Sequence, residues 1–276
     1  AKELGTDFGH HVDFKDQLCA PLKHNKALFL SRYDFIVDLK GQMKIIEFNS
    51  SCPAGVTFLH RWRSALSEIW PDRTLIESIQ MPLDKPHYFP QKLMDELSKY
   101  NLAHPRPKVV LAVDNTNLTL ELENFKKLFS DLSAQVKICN ISKMKYSNGI
   151  LFDHEGEAID LIFTKMRPPR SVKTGWGNDE LMSYASFLEA AKNDAACIFN
   201  PFTAMTIGED KGMLAALQDE KYKNLVPNAS RSAIQANVAK SAFVNPSNSD
   251  QLAWIIANQK NLVIKPRLEG RGDFVI

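Results

Sequence analysis

The stretch Ile45-Ile46-Glu47-Phe48-Asn49 is the most informative part of the sequence, because it places two oxygen-bearing side chains on one face of a strand. Successive side chains of a β-strand point to opposite faces. Glu47 and Asn49 therefore project together, while Ile46 and Phe48 point into the packed side. A carboxylate and an amide oxygen on one rigid face suit a hard divalent cation, so we expect a metal-binding strand here.

A partner strand is predicted immediately upstream. The two parities are Arg32, Asp34, Ile36 and Asp38 on one face, and Tyr33, Phe35 and Val37 on the other. This alternation is typical of a half-buried strand. A hairpin is the natural connection to the metal-binding strand, with a two-residue loop centred on Lys40-Gly41 or a four-residue loop at the same place.

Both loops predict the same register for the hairpin. The opposed pairs are then Leu39 with Gln42, Asp34 with Glu47, and Arg32 with Asn49. Two carboxylates directly opposite each other are unfavourable, so we expect a cation near Asp34 and Glu47. Either Mg2+ or Arg32 would meet this need, and the alternative is an ordinary solvated hairpin face.

Composition limits the class of protein. The 276 residues are 44% hydrophobic, which supports a full core in one large or two medium domains. A formal charge of +2 with interspersed acids and bases argues against nucleic-acid binding. The longest apolar runs are too short to cross a bilayer and no secretory signal is visible, so a cytoplasmic protein without membrane contact is expected. The widely spaced cysteines indicate reduced thiols, and Cys52 either lines the site or packs as a small hydrophobe.

The middle of the chain predicts helices followed by a parallel sheet. A helix from about Phe58 to Ile69 has an apolar stripe that we expect to form core, and a second helix is expected at 91–100. The proline-rich stretch 104–107 indicates a domain linker. Strand, helix and strand then follow over 109–139, which is a βαβ unit.

A hairpin is expected next, over 151–165, and Arg167 follows its last strand. Ligands of open α/β sheets bind beyond the carboxyl ends of strands. Arg167 is therefore a candidate for binding a carboxylate or phosphate in bidentate fashion. The alternative is an exposed arginine in a loop.

The last third contains two lysines in unusual positions. A helix starting near Gly208 is expected to have Glu209 and Asp210 in its first turn, where the helix dipole favours acids. Lys211 follows them against that preference, and an anion such as phosphate would stabilise it. Further on, Ser247 and Asp250 have the spacing of a capping box.

The second unusual lysine is Lys265, which interrupts an apolar strand expected over 262–266. Such a lysine either extends to solvent at an edge or reaches a buried anion. Gly270-Arg271-Gly272 then forms a flexible loop whose amides can close over phosphate oxygens. The chain has neither the P-loop sequence nor the third glycine of a dinucleotide fingerprint, which excludes those two motifs.

Together these motifs resemble the circularly permuted ATP-grasp ligases, which include glutathione synthetases of the eukaryotic type and glutathionylspermidine synthases. The motifs are Arg32-x-Asp34, Ile46-Glu47-Phe48-Asn49, Asn200-Pro201 with Lys211, and the run from Val263 to Gly272. In that family the E-x-N strand precedes both ATP lysines, and it does so here. The order of the motifs therefore supports the resemblance.

The resemblance implies an α/β (α+β) fold of the ATP-grasp type with an inserted Rossmann-like substrate domain. We expect 1–104 to be the ATP-grasp half with the metal-binding strand and 105–195 to be the Rossmann-like domain. Residues 196–276 would be the lid with the ATP lysines and the glycine loop. The family continues past the point that corresponds to Ile276, so we expect an incomplete fold that lacks its C-terminal part.

The resemblance also implies ATP and Mg2+ as cofactors and assigns the site residues. The implied metal ligands are Glu47, Asn49 and Glu269. The implied ATP-binding residues are Lys211, Lys265, Gly270, Arg271 and Gly272, of which Arg271 departs from the all-glycine loop of close relatives. The implied substrate-binding residues are Arg32, Asp34, Ser50, Ser51 and Arg167, and Arg32 and Lys265 would act in catalysis.

The implied reaction joins a carboxylate and an amine. The carboxylate of a small molecule or peptide attacks the γ-phosphate of ATP, ADP leaves, and the amine co-substrate captures the acyl phosphate as an amide or peptide bond. One alternative is a non-catalytic relative that binds nucleotide or peptide. A second is an unrelated sugar- or phosphate-binding α/β protein, in which Glu47 and Lys265 would lie on different surfaces.

Overall fold

The structure is a computed structural model that describes residues 30–51, 53–69, 85–99, 105–114, 119–166 and 182–268, together with residues 8, 18 and 74. The described residues form two compact units. The sheet unit lies within 1–30 and 51–205, and the hairpin unit lies within 31–50 and 206–276. Among the described helices, none has the combination of length and apolarity that crossing a membrane requires.

The described residues form eight strands and eight α-helices. The strands are β1 (Arg32–Val37), β2 (Met43–Asn49), β3 (Lys108–Val113), β4 (Gln135–Asn140), β5 (Lys145–Ser147), β6 (Ile150–Phe152), β7 (Leu161–Lys165) and β8 (Cys197–Phe199). The helices are α1 (Leu59–Ile69), α2 (Tyr88–Ser98), α3 (Thr119–Asp131), α4 (Ala185–Asn193), α5 (Phe202–Glu209), α6 (Gly212–Ala216), α7 (Asn228–Asn237) and α8 (Ser249–Ala257).

The two units divide the predicted first domain, 1–104, between them. Backbone pairing explains the division. Within the hairpin unit, the amide of Ala239 donates to the carbonyl of Ile45 over 2.9 Å. Within the sheet unit, the Thr164 hydroxyl donates to the carbonyl of Ser51 over 3.1 Å. The chain therefore changes units directly after the metal-binding strand, at a position that no composition signal marks.

The sheet unit is built on a parallel sheet of order β4-β3-β7-β8. The predicted βαβ unit is confirmed, with α3 between β3 and β4. The strand β7 is buried throughout, as expected of a parallel strand inside a sheet. The Pro107 carbonyl accepts from the Gln135 amide over 2.9 Å inside this unit, and the domain linker expected at 104–107 stays a prediction.

Aromatic side chains fill one face of the parallel sheet. The rings of Phe125 on α3 and Phe163 on β7 pack edge to face with centroids 4.7 Å apart. Phe89 on α2 lies against both of them. Each such pair contributes roughly 0.5–1.5 kcal/mol beyond the burial of its area. Helices α2 and α3 therefore supply the core of this unit.

The prediction that the stripe of α1 forms core is wrong. The side chains of Trp62 and Ile69 are 66% and 74% exposed. The physical reason is that α2 and α3 already fill the aromatic face of the sheet. Helical periodicity shows which residues share a face, but it does not show which of several amphipathic helices the core will use.

The predicted hairpin over 151–165 is wrong in its pairing. The strand β6 pairs antiparallel with β5, which precedes it, while β7 lies parallel to β3 and β8. The chain between them does turn back, with a single bridge between Phe152 and Ala158. The continuous apolar run Leu161-Ile162-Phe163 explains the difference, because such a run is typical of a strand buried on both faces.

The turn of the β1–β2 hairpin has three residues, so the predicted Leu39–Gln42 pair is wrong. The amide of Asp38 donates to the carbonyl of Gln42 over 2.9 Å. The Asp38 carboxylate also accepts from the amides of Lys40 and Gln42, at 2.8 and 2.9 Å. Gly41 has φ of +77°, the left-handed conformation that ends three-residue loops of this kind. These bonds reverse the chain one residue earlier than predicted.

The predicted pairs Asp34–Glu47 and Arg32–Asn49 are nevertheless confirmed. The register changes between Asp34 and Phe35, which pairs with Ile45, so Ile46 is an extra residue in β2. Such a β-bulge shifts the register by one position. The bulge therefore offsets the shorter loop and restores the opposition of the two carboxylates.

The apolar face of β1 is more exposed than predicted. The side chains of Tyr33, Phe35 and Val37 are 52%, 53% and 63% exposed. Phe48 of β2 packs edge to face on Tyr33 with centroids 5.4 Å apart, so the face is apolar on both strands. No described element of the hairpin unit covers it, which is why the half-buried pattern did not produce a buried face.

The start of the predicted helix near Gly208 is also different. Helix α5 ends at Glu209, and α6 begins at Gly212 after Lys211 at its N-cap position. Glu209 and Asp210 therefore do not share a first turn, and that prediction is wrong. The Asp210 carboxylate accepts from the Gly212 amide over 2.7 Å, which starts a new helix and breaks the old one.

Two predictions in the last segment are wrong. The N-cap of α8 is Asn248, whose side chain accepts from the Gln251 amide over 3.0 Å, and not Ser247. Asparagine is among the best N-cap residues, so it displaces the predicted capping box. Residues 262–266 form no strand within the described ranges, and Pro266 has no amide to donate to a strand partner.

Candidate functional site

The predicted site lies on the hairpin, where Arg32 and Asp34 form a fork-shaped ion pair. Arg32 Nε and Nη2 donate to the two carboxylate oxygens at 2.8 and 3.1 Å. This hydrogen bonding is the main reason that the pKa of Arg32 is raised, and the charges of Glu47 and Glu209 add to it. The same pair lowers the pKa of Asp34 below its usual value. Arg32 therefore supplies positive charge beside the opposed carboxylates, as one of the two alternatives predicted.

Glu47 is paired with the first predicted ATP lysine. Lys211 Nζ lies 3.1 Å from Glu47 Oε1, and their side chains are 13% and 22% exposed. A partly buried ion pair of this kind is screened less by salt than a surface pair. The hairpin thus brings a predicted metal ligand and a predicted phosphate ligand into direct contact.

The second predicted ATP lysine reaches the same strand. Lys265 Nζ lies 3.5 Å from the backbone carbonyl of Ile46, 219 positions away in sequence. Its charge also contributes to the lowered pKa of Asp34. Lys265 and Glu47 therefore do not lie on different surfaces, which argues against the unrelated sugar- or phosphate-binding protein.

Asn49 has a side chain with unused hydrogen-bonding capacity. Its amide nitrogen is buried and makes no hydrogen bond of normal geometry, although it lies close enough to Asp34 to help lower the pKa of that carboxyl group. The oxygen and nitrogen of such an amide exchange places by a half-turn. Glu47 and Asn49 therefore form an oxygen-rich donor set that fits a hard cation such as Mg2+.

Ser50 and Ser51 follow the strand and are buried. The Ser50 amide donates to Glu209 Oε2 over 2.6 Å. A Cβ on Gly208 would lie 2.7 Å from the Ser50 hydroxyl oxygen, so only glycine fits at that approach. Ser51 belongs to the sheet unit, where its carbonyl accepts from Thr164. Substrate binding by these two serines stays a prediction.

Sequence analysis missed a buried ion pair next to both lysines. Arg267 Nε and Nη2 donate to the two oxygens of Asp210, each over 2.8 Å. The Asp210 side chain is completely buried, whereas that of Arg267 is 28% exposed. Asp210 was predicted only as an acid in the first turn of a helix. Its pairing with Arg267 could not be predicted from local sequence, because the two residues are 57 positions apart.

A second missed pair holds the segment after Ser50. Lys165, at the end of β7, has a fully buried side chain whose Nζ lies 3.0 Å from Glu121 Oε2. It also donates to the Pro53 carbonyl over 2.9 Å. Glu121 in turn accepts from the Gly55 amide over 2.8 Å. Together with the Thr164 bond to Ser51, side chains of the sheet unit thus fix the backbone at 51, 53 and 55.

One acidic cluster elsewhere has the composition of a metal site. Asp153, Glu155 and Glu157 approach one another closely enough to share an ion. However, Lys137 Nζ lies among them, 2.9 Å from Asp153 and 2.8 Å from Glu157. Hydrogen bonds to Glu155, Glu157 and Asp153 raise the pKa of Lys137. A lysine therefore already supplies the positive charge of this cluster.

The hairpin unit also has an open cleft of about 580 Å³. It lies between hairpin residues, among them Ile36 and Lys44, and the α7 residues Arg231 and Ile234. None of the predicted site residues is among its described lining.

Six predicted residues lie outside the part of the chain that the structure describes, namely Arg167, Glu269, Gly270, Arg271, Gly272 and Cys52. Cys139 and Cys197 are buried and reduced, as predicted.

Comparison with known proteins identifies a similar fold. No protein-family model matches the sequence, and no curated protein matches it. Among solved structures, the chain is similar to a glutathione synthetase-like effector from Globodera pallida in its apo form, with a TM-score of 0.60 and 13% identity. The match covers 95% of this chain and 64% of that one. The chain therefore has a glutathione synthetase-like mixed α/β fold and spans about two thirds of that structure.

Proposed function

We propose that this chain contains the metal- and nucleotide-binding part of an ATP-dependent carboxylate–amine ligase of the circularly permuted ATP-grasp type. The observation that carries the proposal is the approach of Lys211 and Lys265 to neighbouring residues of β2, at Glu47 and the Ile46 carbonyl. The glutathione synthetase-like fold of the solved neighbour supports the same class.

Glu47 and Asn49 would hold Mg2+, with Glu269 as a third ligand. When bound, the ion would neutralise charge on the β- and γ-phosphates of ATP. The lowered pKa of Asp34 keeps an additional carboxylate ionised near this position. Asp34 thus adds negative charge on the strand opposite Glu47.

The lysines and Arg32 would do the remaining electrostatic work. Lys211 and Lys265 would bind phosphate oxygens, and Gly270 and Gly272 would cover the triphosphate. An oxygen of the substrate carboxylate forms a bond to the γ-phosphorus as the bond to ADP breaks. The amine then attacks the carbonyl carbon, loses a proton and displaces phosphate. Arg32, held by Asp34, orients the carboxylate or offsets its developing charge.

Calorimetric titration with ATP, with and without Mg2+, tests the binding part of this proposal. We expect Mg2+-dependent binding of ATP, followed by release of ADP when amino acids, short peptides and polyamines are supplied as acid and amine. Binding without ADP release from any acid and amine pair would leave the chain as a nucleotide-binding relative and exclude the ligase for this polypeptide. An absence of binding would exclude both.

The second candidate is a non-catalytic relative that binds nucleotide or peptide. Two observations favour it. Lys211 already neutralises Glu47, and the similar solved structure is described as an effector. In this case ATP or a peptide would bind without turnover, and Glu47→Gln would not change peptide affinity. The same titrations therefore separate the two candidates.

A further inference from the structure

The pair formed by Arg267 and Asp210 joins two segments that each include a site lysine. Lys211 follows Asp210 directly, and Lys265 lies two residues before Arg267. The side chains meet through two hydrogen bonds of 2.8 Å. The main chains meet as well, because the Lys211 amide donates to the Arg267 carbonyl over 3.1 Å. The two segments are thus joined by side-chain and by main-chain hydrogen bonds.

The arginine is enclosed on three sides. The Asp210 carboxylate accepts both hydrogen bonds of the guanidinium group. Asp210 Oδ1 also accepts from the Gly212 amide over 2.7 Å. The ring of Phe243 lies 5.2 Å from the guanidinium carbon. A Cβ added to Gly212 would lie 2.5 Å from Arg267 Nη2. The space around the guanidinium is therefore shaped by a glycine and an aromatic ring.

The stretch 262–266 has no strand partner among the described residues, so its position depends on contacts such as these. Lysine side chains lose considerable rotamer freedom when they bind an anion. A backbone held in place in advance lowers the remaining entropic cost of binding. A bidentate pair that joins two segments is an effective way to achieve this.

We infer that Arg267 and Asp210 are positioning residues, which form a clamp that sets the separation of Lys211 and Lys265. The two ammonium groups then approach Glu47 and the Ile46 carbonyl, on adjacent residues of β2. The clamp holds both lysines ready for one polyanionic ligand. Only the identity of that ligand, Mg2+ with ATP, rests on the proposed function.

The test compares variants of the clamp with a matched arginine elsewhere in the same unit. The clamp variants are Arg267→Gln, Arg267→Lys, Asp210→Asn and Gly212→Ala, and the control is Arg231→Gln. The Arg231 side chain donates to a backbone carbonyl, that of Lys223, over 2.7 Å. Affinity for Mg2+ with ATP is measured calorimetrically at a temperature where each variant is folded. Exchange of the Lys211 amide hydrogen is measured by NMR.

We expect Arg267→Gln and Asp210→Asn to bind ATP on the order of tenfold more weakly, the effect of losing one preorganised charged pair. Exchange of the Lys211 amide should accelerate in both. Arg267→Lys keeps the charge but not the fork, so it should lie between wild type and Arg267→Gln. Gly212→Ala keeps both charges and should weaken binding by displacing the guanidinium. Arg231→Gln should bind within about twofold of wild type.

Unchanged affinity in Arg267→Gln and Gly212→Ala, with unchanged Lys211 exchange, would overturn the clamp. If Asp210→Asn fails to fold, Gly212→Ala and Arg267→Lys provide the same comparison with the buried carboxylate intact. If wild type binds no ATP, the proposed function fails, and the clamp is then tested by the exchange of the Lys211 amide alone. Faster exchange in Arg267→Gln then supports the clamp, and equal exchange overturns it.

Discussion

The lysines of the two units are held in different ways. In the sheet unit, the Lys165 side chain is fully buried between Glu121 and the Pro53 carbonyl, and Lys137 lies among three carboxylates. In the hairpin unit, Lys211 remains 13% exposed beside Glu47, and Lys265 reaches a carbonyl at 3.5 Å. The fully buried Lys165 is closed to solvent, whereas Lys211 and Lys265 are partly exposed and can exchange their partners for an incoming anion.

The largest effect should come from breaking the saturated pair in the sheet unit. Lys165→Met leaves the buried carboxylate of Glu121 without its counter-charge, so we expect a loss of about 3–5 kcal/mol in the free energy of unfolding. Urea denaturation measures it. The control is Lys127→Met, whose lysine is 77% exposed and 3.9 Å from Asp131, with an expected change of at most about 1 kcal/mol. Equal effects of the two changes would contradict the distinction between the units.

The corresponding changes in the hairpin unit should affect binding more than folding. Glu47→Gln and Lys211→Met should each weaken binding of Mg2+ with ATP on the order of 100-fold, because each removes a charge from the nucleotide site. The free energy of unfolding should fall by less than it does in Lys165→Met, because this ion pair is only partly buried. Calorimetry and urea denaturation measure the two quantities. Removal of the metal with EDTA should reduce wild type to the affinity of Glu47→Gln, and an undiminished affinity after EDTA would remove the metal from the proposal.

A smaller effect is expected from the lysine within the acidic cluster. Lys137→Met removes the positive charge shared by Asp153, Glu155 and Glu157, so these carboxylates repel one another and the thermal midpoint falls. ATP affinity should stay within about twofold of wild type, since salt screens the interactions of solvent-exposed charges. A metal-induced rise in the thermal midpoint of this variant only, with Ca2+ as the probe, would show that the lysine substitutes for an ion.

The smallest effect concerns acid stability, and it compares one carboxylate from each unit. The pKa of Asp34 is lowered mainly by its hydrogen bonds to Arg32. That of Asp153 is lowered against the effect of burial, by amide hydrogen bonds and Lys137. A carboxylate with a lowered folded-state pKa stabilises the protein above its unfolded value, about 3.9, and this contribution is lost as pH falls through the folded-state pKa.

Asp34→Asn and Asp153→Asn should therefore flatten the loss of stability below about pH 4. The flattening should be larger for Asp153, which is 3% exposed, than for Asp34, which is 37% exposed. Denaturation midpoints at several values of pH measure both slopes. A steeper slope in either variant would reverse the direction inferred for that carboxylate.

Local sequence patterns predicted the elements well where the predicted packing partner is present in the fold. The βαβ unit follows from periodicity. The pairs Asp34–Glu47 and Arg32–Asn49 are present although the loop is shorter than predicted, because the bulge at Ile46 offsets it. The stripe of α1 and the strand at 262–266 failed because burial depends on which partner is available. The periodicity of a segment does not show which other elements will compete with it for a place in the core.

Charged residues of the site were predictable singly, but their pairing was not. Lys211 and Lys265 stand out because each interrupts a local preference. Arg267 and Asp210 do not, since a first-turn acid and a loop arginine are ordinary. Lys165 was hidden at the end of an apolar strand, and its partner Glu121 was one of several acids on a helix. Only the tertiary fold brings such partners together.

The bulge at Ile46 makes the hairpin tolerant of insertions. Because the turn has three residues and β2 has one surplus residue, the two irregularities compensate each other. An insertion of one amino acid at the tip would permit a regular ladder with Asp34 still facing Glu47. Gene libraries that vary the length of this tip, at residues 39–41, should therefore yield variants whose acidic pair survives, a freedom that directed evolution or epitope tagging can use.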